Sequence, residues 1–332
     1  MKVTIKDIAN VCGVSIGTVD RALNNRVGIS EETKKKILKA AKEMNYTPDY
    51  TARGLVMGKT YTIGVVLFDL YNQSFAQLLN AIEVRARKLG YFIYITLSEK
   101  NKNDEIECIE HLVNRKVDGI ILLTVNKGRE FEEYLSELEI PIITIFNFVS
   151  EQWEFIGVKE REAMMKATDY IVSQNRFQKF VYVSPPLAYH DQANIYTQEE
   201  RFNGFLDGLK KNKITTKPMI LRNNEYLKEL ENIINHNDDN EKLVVICSTD
   251  LFALEVMNLL RVKGIKIPDQ VGVMGFDDID MLKYITPRLS TVKYPIEEIG
   301  QKAIESIINK IELGEFIPTP LLGYKVIKGD SI

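Results

Sequence analysis

TIKDIANVCGVSIGTVDRALN, residues 4–24, reads as two short helices joined by a sharp turn. Thr4 is placed to cap the first helix, and Asp7, three residues on, can reach back to the orphan amides. Ile5, Ile8, Ala9 and Cys12 share one face at helical spacing. Gly13 supplies a backbone position that tolerates positive φ, which a sharp turn needs. Ser15 caps the second helix. Its inward face is Val19, Ala22 and Leu23, with Val14 packed beneath the turn. The small Ala9 lets the helices approach closely. This is the layout of a helix-turn-helix, whose second helix enters the DNA major groove, although an ordinary helical hairpin shares the spacing.

The next stretch, SEETKKKILKAAKEMNY (30–46), is a third amphipathic helix. Ser30 caps it, Glu31 and Glu32 complement its N-terminus, and Ile37, Leu38, Ala41 and Met44 line its apolar face. Pro48 breaks this helix, a short segment follows, and Gly58 ends that segment.

Net charge is −3, yet residues 1–60 carry eight lysines and three arginines against six acids, a surplus of five positive charges. The body is correspondingly acidic. A small basic head on an acidic body suits DNA contact by one end, although much of the Lys34–Lys36 run is expected to be a solvated helix face. At 332 residues the chain is too long for one core, and 45% apolar with 27% charged residues is a soluble globular composition. Lys2, Lys6 and Asp7 interrupt any early apolar run, so no signal peptide is expected, and no stretch has the length of a membrane span. Cys12, Cys108 and Cys247 lie inside apolar patterns and are expected to be buried thiols of a reducing compartment. The three histidines, His111, His190 and His236, are scattered, and no pair of residues has zinc-ligand spacing, so neither a metal nor a cofactor is expected.

From Tyr61 the pattern changes to short apolar runs alternating with amphipathic helices. TIGVVLF (62–68), YFIYITL (91–97), DGIILLT (118–124) and PIITIF (141–146) form a first set of strands, with helices at 74–89 and 103–115. FVYVS (180–184), PMILR (218–222), LVVICS (243–248) and VGVMGF (271–276) form a second, with a helix at 198–211. Continuous apolar strands imply parallel sheets covered on both faces. The first strand turn, FDLYNQSF (68–75), holds no glycine, and no GxGxxG or GxxxxGK[ST] occurs, which disfavours a dinucleotide or P-loop enzyme. A ligand belongs instead at the carboxyl ends of the strands, in the crevice between lobes.

The order and spacing of several motifs make the chain resemble the lactose repressor family of bacterial transcription regulators. These are I-K-D-I-A (5–9), G-V-S (13–15), T-V (18–19), R-A-L-N (21–24), S-E-E-T (30–33), N-Y-T-P (45–48), A-R-G-L (52–55) and T-I-G-V (62–65). The segments EERFNGFLDGLKK (199–211), TDLFALEVMNLL (249–260), KGIKIPDQVGVMGFDDI (263–279) and ITPRLSTVKYPIEEIGQKA (285–303) extend the match over essentially the whole chain. The resemblance implies a small all-α helix-turn-helix head and an α/β two-lobed body like periplasmic binding proteins, with two doubly wound parallel sheets. The head spans 1–46, a linker with a hinge helix 47–60, and an effector-binding and dimerisation domain 61–332. One lobe takes about 61–158 and 291–316, the latter as a strand and helix. The other takes about 159–290 and 317–332, so the chain crosses between lobes near 158, 290 and 317.

The resemblance also implies roles. Ile16, Gly17 and Arg21 stand where the family reads base edges. Arg21 can donate twice to guanine, and Ile16 offers an apolar surface to a thymine methyl. Thr4, Ser15, Thr18 and Asn24 suit phosphates. Asp20 departs from the small hydroxyl usual there, and either accepts from cytosine or orients Arg21 or Asn24. In the linker, Arg53 and Leu55 belong to A-R-G-L, and Leu55 is expected to wedge into the minor groove beside its copy in a dimer. Asp49 departs from the usual asparagine. In the body, Arg201, Asp250 and Asp277 match positions lining the effector cleft, where carboxylates and a guanidinium fit a polyol. Phe75 matches a stacking aromatic, and Asp69 and Tyr71 share its turn. Phe146 and Asn147 stand where an aspartate is common, and Val158-Lys159 replaces a usual D-N. The implied effector is therefore a sugar or a related polar metabolite, and the implied partner a palindromic operator bound by a cytoplasmic homodimer or tetramer.

Two other readings compete. A solute-binding protein needs an export signal and no head. An enzyme on the same scaffold needs a reaction motif, and no Ser/His/Asp or carboxylate motif marks one. A regulator with a protein corepressor is a further variant.

Overall fold

The computed structural model describes residues 3–46, 58–151, 153–184, 195–238 and 241–332. The chain divides into two compact units, residues 1–60 and 61–332. The reading of a linker helix with Asp49, Arg53 and Leu55 lies outside the described residues, as does His190.

The head holds α1 (Ile5–Cys12), α2 (Ile16–Leu23) and α3 (Glu31–Glu43). Local chemistry sets each boundary. Thr4 and Asp7 exchange bonds in a capping box, the Asp7 amide donating to Thr4 Oγ1 at 3.3 Å and the Thr4 amide to Asp7 Oδ2 at 2.8 Å. Gly13 ends α1 at φ 66°, and the Val14 amide then donates to the Ala9 carbonyl at 3.1 Å. Ser15 and Ser30 cap α2 and α3. Ile8, Ala9, Cys12, Val19, Ala22, Ile37, Ala40 and Ala41 form the core. Leu38 does not join it and is 43% exposed. Residues 37, 40, 41 and 44 follow the helical repeat, whereas 38 is a 100° step off that stripe. Lys36 is no free cation, because its Nζ donates to the Cys12 carbonyl at 3.0 Å and so closes the end of α1.

The body holds two parallel sheets. The first is ordered β2 (Phe92–Leu97), β1 (Thr62–Leu67), β3 (Gly119–Leu122), β4 (Ile142–Ile145) and β5 (Phe155–Ile156). The second is ordered β7 (Met219–Leu221), β6 (Lys179–Val183), β8 (Leu243–Cys247) and β9 (Val271–Met274). Helices α4 (Gln73–Lys88), α5 (Lys102–Asn114) and α6 (Arg129–Glu137) belong to the first set. Helices α7 (Glu160–Ser173), α8 (Tyr196–Lys211), α9 (Tyr226–Asn235) and α10 (Asp250–Val262) belong to the second. The continuous apolar strands β1, β3, β4, β8 and β9 are buried along almost their whole length. β2 is not, since it is an edge strand and exposes Phe92, Ile95 and Leu97. Cys12 and Cys247 are buried, but Cys108 is only half-buried, under the same edge, where its thiol faces the Leu97 carbonyl at 3.4 Å.

Helix α11 (Ile296–Leu313) packs on α4 and the first sheet. The strand before it, β10 (Thr291–Lys293), does not join that sheet and pairs antiparallel with β11 (Lys325–Ile327). The reason is that Ser290 and Val292 accept from the Gly275 and Asp277 amides at 2.9 and 2.8 Å, which holds this segment beside the extension of β9. Val158 likewise bridges Leu322. The lobe junction is thus built from extended segments lying side by side.

Candidate functional site

On the head, the face of α2 opposite Val19 and Ala22 presents Ile16, Gly17 and Arg21 to solvent. Ile16 is 47% exposed, an apolar side chain left outside the core. The Arg21 side chain makes no hydrogen bond to the described residues, and its Nη1 lies 3.9 Å from where a Gly17 Cβ would stand. Thr4, Ser15 and Thr18 lie at the helix starts, and Ser15 Oγ and Thr18 Oγ1 are 2.9 Å apart. Asp20 is engaged on both oxygens: Asn24 Nδ2 donates at 2.7 Å and Arg26 Nη1 at 3.2 Å. It therefore orients Asn24, and with it Arg26, rather than Arg21.

In the body a cavity of about 350 Å³ lies between the lobes at the carboxyl ends of the strands. Asp69, Tyr71, Phe75, Asn147, Arg201 and Asp277 all line it, and Asp250 does not. Asp250 is buried behind it. Its oxygens accept from Thr291 Oγ1 at 2.6 Å and the Ile279 amide at 3.0 Å, so it braces the loop after β9. Burial pushes its carboxyl up to about 6, and the bonds from Thr291 and Ile279 limit the rise. Tyr71 is 88% exposed and stands at the mouth. Asp69 accepts from the Tyr71 and Asn72 amides and pairs with Lys100 at 3.2 Å. Asn147 reaches from the end of β4 to Thr197 on α8, and so joins the lobes across the cavity.

The floor is a buried charge network. Gly204 and Gly208 on α8 let α7 come close, since a Cβ on Gly204 would stand 2.2 Å from the Arg161 carbonyl oxygen. That approach brings Glu160, the first residue of α7, against Arg201. Arg201 donates from Nε and Nη2 to Glu160 at 2.8 and 3.3 Å. Its Nη1 donates to the Ser248 carbonyl at 2.7 Å and to Asp277 Oδ1 at 3.2 Å. Its guanidinium also lies 3.8 Å from the Phe276 ring centre. Four of its five N–H groups are thereby engaged, which leaves one for a ligand. Tyr294 donates to the same Asp277 oxygen at 3.2 Å, while Asp277 Oδ2 accepts nothing from the described residues. Two carboxylates share one guanidinium, so one negative charge is in excess. Burial pushes Asp277 up to about 8 against the pull of Arg201, and Asp250 and Glu160 add to the push. Burial thus favours the protonated form of Asp277, which can donate as well as accept. Burial opposes charge on Arg201, but Glu160 and Asp277 outweigh it and keep it protonated. Among the described residues no cluster of three His, Cys, Asp or Glu could hold a metal ion, and no helix is long and apolar enough to cross a membrane.

Comparison with known proteins finds matches in both units of the chain. The model of the bacterial regulatory proteins of the lacI family matches residues 4–49, and that of the periplasmic binding protein-like domain matches residues 169–332. The "Probable HTH-type transcriptional repressor ExuR" of Bacillus subtilis (strain 168) is 31% identical over 93% of this chain and 92% of its own. The chain belongs to the lacI family. It is a sequence-specific DNA-binding transcriptional repressor with an effector-binding body. The ribose operon repressor of Halalkalibacterium halodurans is 26% identical over 98% of this chain and 97% of its own. The fold matches a lac repressor dimer bound to operator and the anti-inducer ONPF, with a TM-score of 0.87, 21% identity, and coverage of 100% and 99% of the two chains.

Several lining residues escaped the sequence reading. Lys100, Gln198, Asn223, Tyr226 and Phe252 line the cavity, as does Tyr294. Glu160 anchors its floor. The change at Val158-Lys159 marks the right place, one residue short of Glu160. Tyr226 and Phe252 sit on amphipathic helices, where an apolar ring reads as core.

Proposed function

We propose that this repressor is a cytoplasmic homodimer that binds a palindromic operator, and that a polyhydroxylated small molecule in the interlobe cavity controls that binding. The head is 1–46, the linker 47–60 and the body 61–332. Ile16, Gly17 and Arg21 read bases. Thr4, Ser15, Thr18 and Asn24 approach phosphates, and Asp20 positions Asn24. Arg53 and Leu55 join them on the strength of the sequence match alone. In the cavity, Asp277, the remaining N–H of Arg201, Asn147, Lys100 and Asp69 face the ligand, with Phe75 beside it. The chain catalyses no reaction of its own.

The observation that carries this reading is the coexistence, in one chain, of a solvent-facing Arg21 on a capped recognition helix and a polar-floored cavity. The related lac repressor structure, a dimer on operator with a ligand bound, supports it by analogy. The exposed apolar residues of edge strand β2 supply surface that a second copy would cover. Selection of bound sequences from random DNA by the full-length protein tests it. A two-fold symmetric site is expected, and recovery of no preferred sequence would refute it.

A further inference from the structure

Arg222 directly follows β7 and precedes Asn223 and Asn224, which line the cavity. Its guanidinium lies 3.5 Å from the centre of the Phe202 ring. Phe202 is one helical turn beyond Gln198, another lining residue. Arg222 thus stands immediately behind the cavity rim. Its Nε and Nη2 are shut off from solvent and donate to nothing among the described residues. Glu199 attracts it from the exposed side of α8 without bonding to it. The pairing of Val183 with Leu221 and Cys247 puts Ser184, Arg222 and Ser248 one step further on, in one row across three strands. Tyr182 OH and Ser248 Oγ, on the same face of the sheet, are also buried without partners among the described residues.

The neighbouring cations differ. Arg201 is held by Glu160 and Asp277, and Lys100 by Asp69. Among the described residues Arg222 has no carboxylate within bonding distance. A guanidinium with two dry, unanswered nitrogens, three N–H groups between them, is costly, and such groups are seldom kept without a partner. Its planar fork matches a carboxylate or a phosphate. We infer that the effector is an anion, a polyhydroxylated molecule whose carboxylate or phosphate is received by Arg222 beside the Gln198–Asn223 rim. This rests on the effector cavity proposed above.

The test uses the full-length protein and calorimetric titration with glucose and galactose, their uronates and their 6-phosphates, at constant ionic strength. At least one anion should bind, with its neutral parent roughly ten- to hundredfold weaker. The uronate and phosphate arms identify which anion is read. Arg222→Met should abolish that preference and Arg222→Lys retain part of it. Without ligand, Arg222→Met should melt no lower than wild type, because buried N–H groups without partners have been removed. A purely structural arginine would give a clear drop. Failure of every anion to bind, equal binding of neutral parent and anion, or an anion affinity unchanged by Arg222→Met would each overturn the inference. If a neutral hexose binds and Asp277→Asn weakens it, the cavity stands without the anion. If nothing binds, both readings fail.

Discussion

Arg21 and Asp20 sit side by side on α2, yet they do different work. Arg21 is unengaged and solvent-facing, so Arg21→Ala should weaken binding to the preferred site by about 1–3 kcal/mol and leave nonspecific, salt-dependent binding nearly intact. Fluorescence anisotropy on preferred and scrambled duplexes separates the two, and equal loss on both would make Arg21 a phosphate contact. Asp20 holds Asn24 and Arg26. Asp20→Ala removes a negative charge but frees both partners, so nonspecific affinity should rise while the preference for the specific site falls. A rise on both DNAs by the same factor would deny Asp20 a positioning role. Arg21 was legible because helical spacing from Val19 and Ala22 puts it outside. The role of Asp20 was not, because Arg26 lies in the turn after α2, where no periodicity fixes a side chain's direction. Asp250 and Asp277 show the same limit. Both are buried acids near one cleft, and only the path of the loop after β9 puts one on the wall and the other behind it.

At the scale of elements, α7, α8 and the segment after β9 meet at the Glu160–Arg201–Asp277 network. The sequence leaves Arg201 open between a ligand contact and a core ion pair, and its bonds make it structural. With Asp277 holding its proton, Arg201→Ala leaves Glu160 a buried carboxylate without its cation and should cost about 3–5 kcal/mol in thermal or urea unfolding. Loss of ligand response without loss of stability would contradict that. Asp277 adds a pH dependence. Its folded pKa, about 8, lies above the unfolded value, so the folded state holds the extra proton. Stability is fully present below the ordinary aspartate range and falls as pH rises towards about 8. Asp250 and Glu105, a buried residue of α5, are pushed up to about 6 and about 7 by burial and act in the same direction. Melting temperature should therefore drop between acidic and mildly alkaline pH, and Asp277→Asn should flatten the upper part of that drop. An unchanged slope in the variant would assign the effect elsewhere. Strands and helices were readable from apolar runs and caps. The edge position of β2 and the diversion of β10 were not, because strand order and pairing depend on contacts far apart in sequence.

For the whole molecule, the division into a basic helical head and an acidic two-sheet body follows from charge and from the change of periodicity at Tyr61. The cavity floor does not, since its side chains come from positions 160, 201, 277 and 294, on segments that only the finished fold brings together. The central claim is that cavity and head are two coupled sites of one repressor, a relation that thermodynamics requires to be reciprocal. The deciding measurement is the affinity of the full-length protein for its selected operator, with and without a saturating amount of the small molecule that most raises its melting temperature, paired with the affinity for that molecule with and without operator. The account predicts that both affinities change by the same factor, on the order of 5- to 150-fold. An operator affinity that stays constant while the small molecule demonstrably fills the cavity would contradict it.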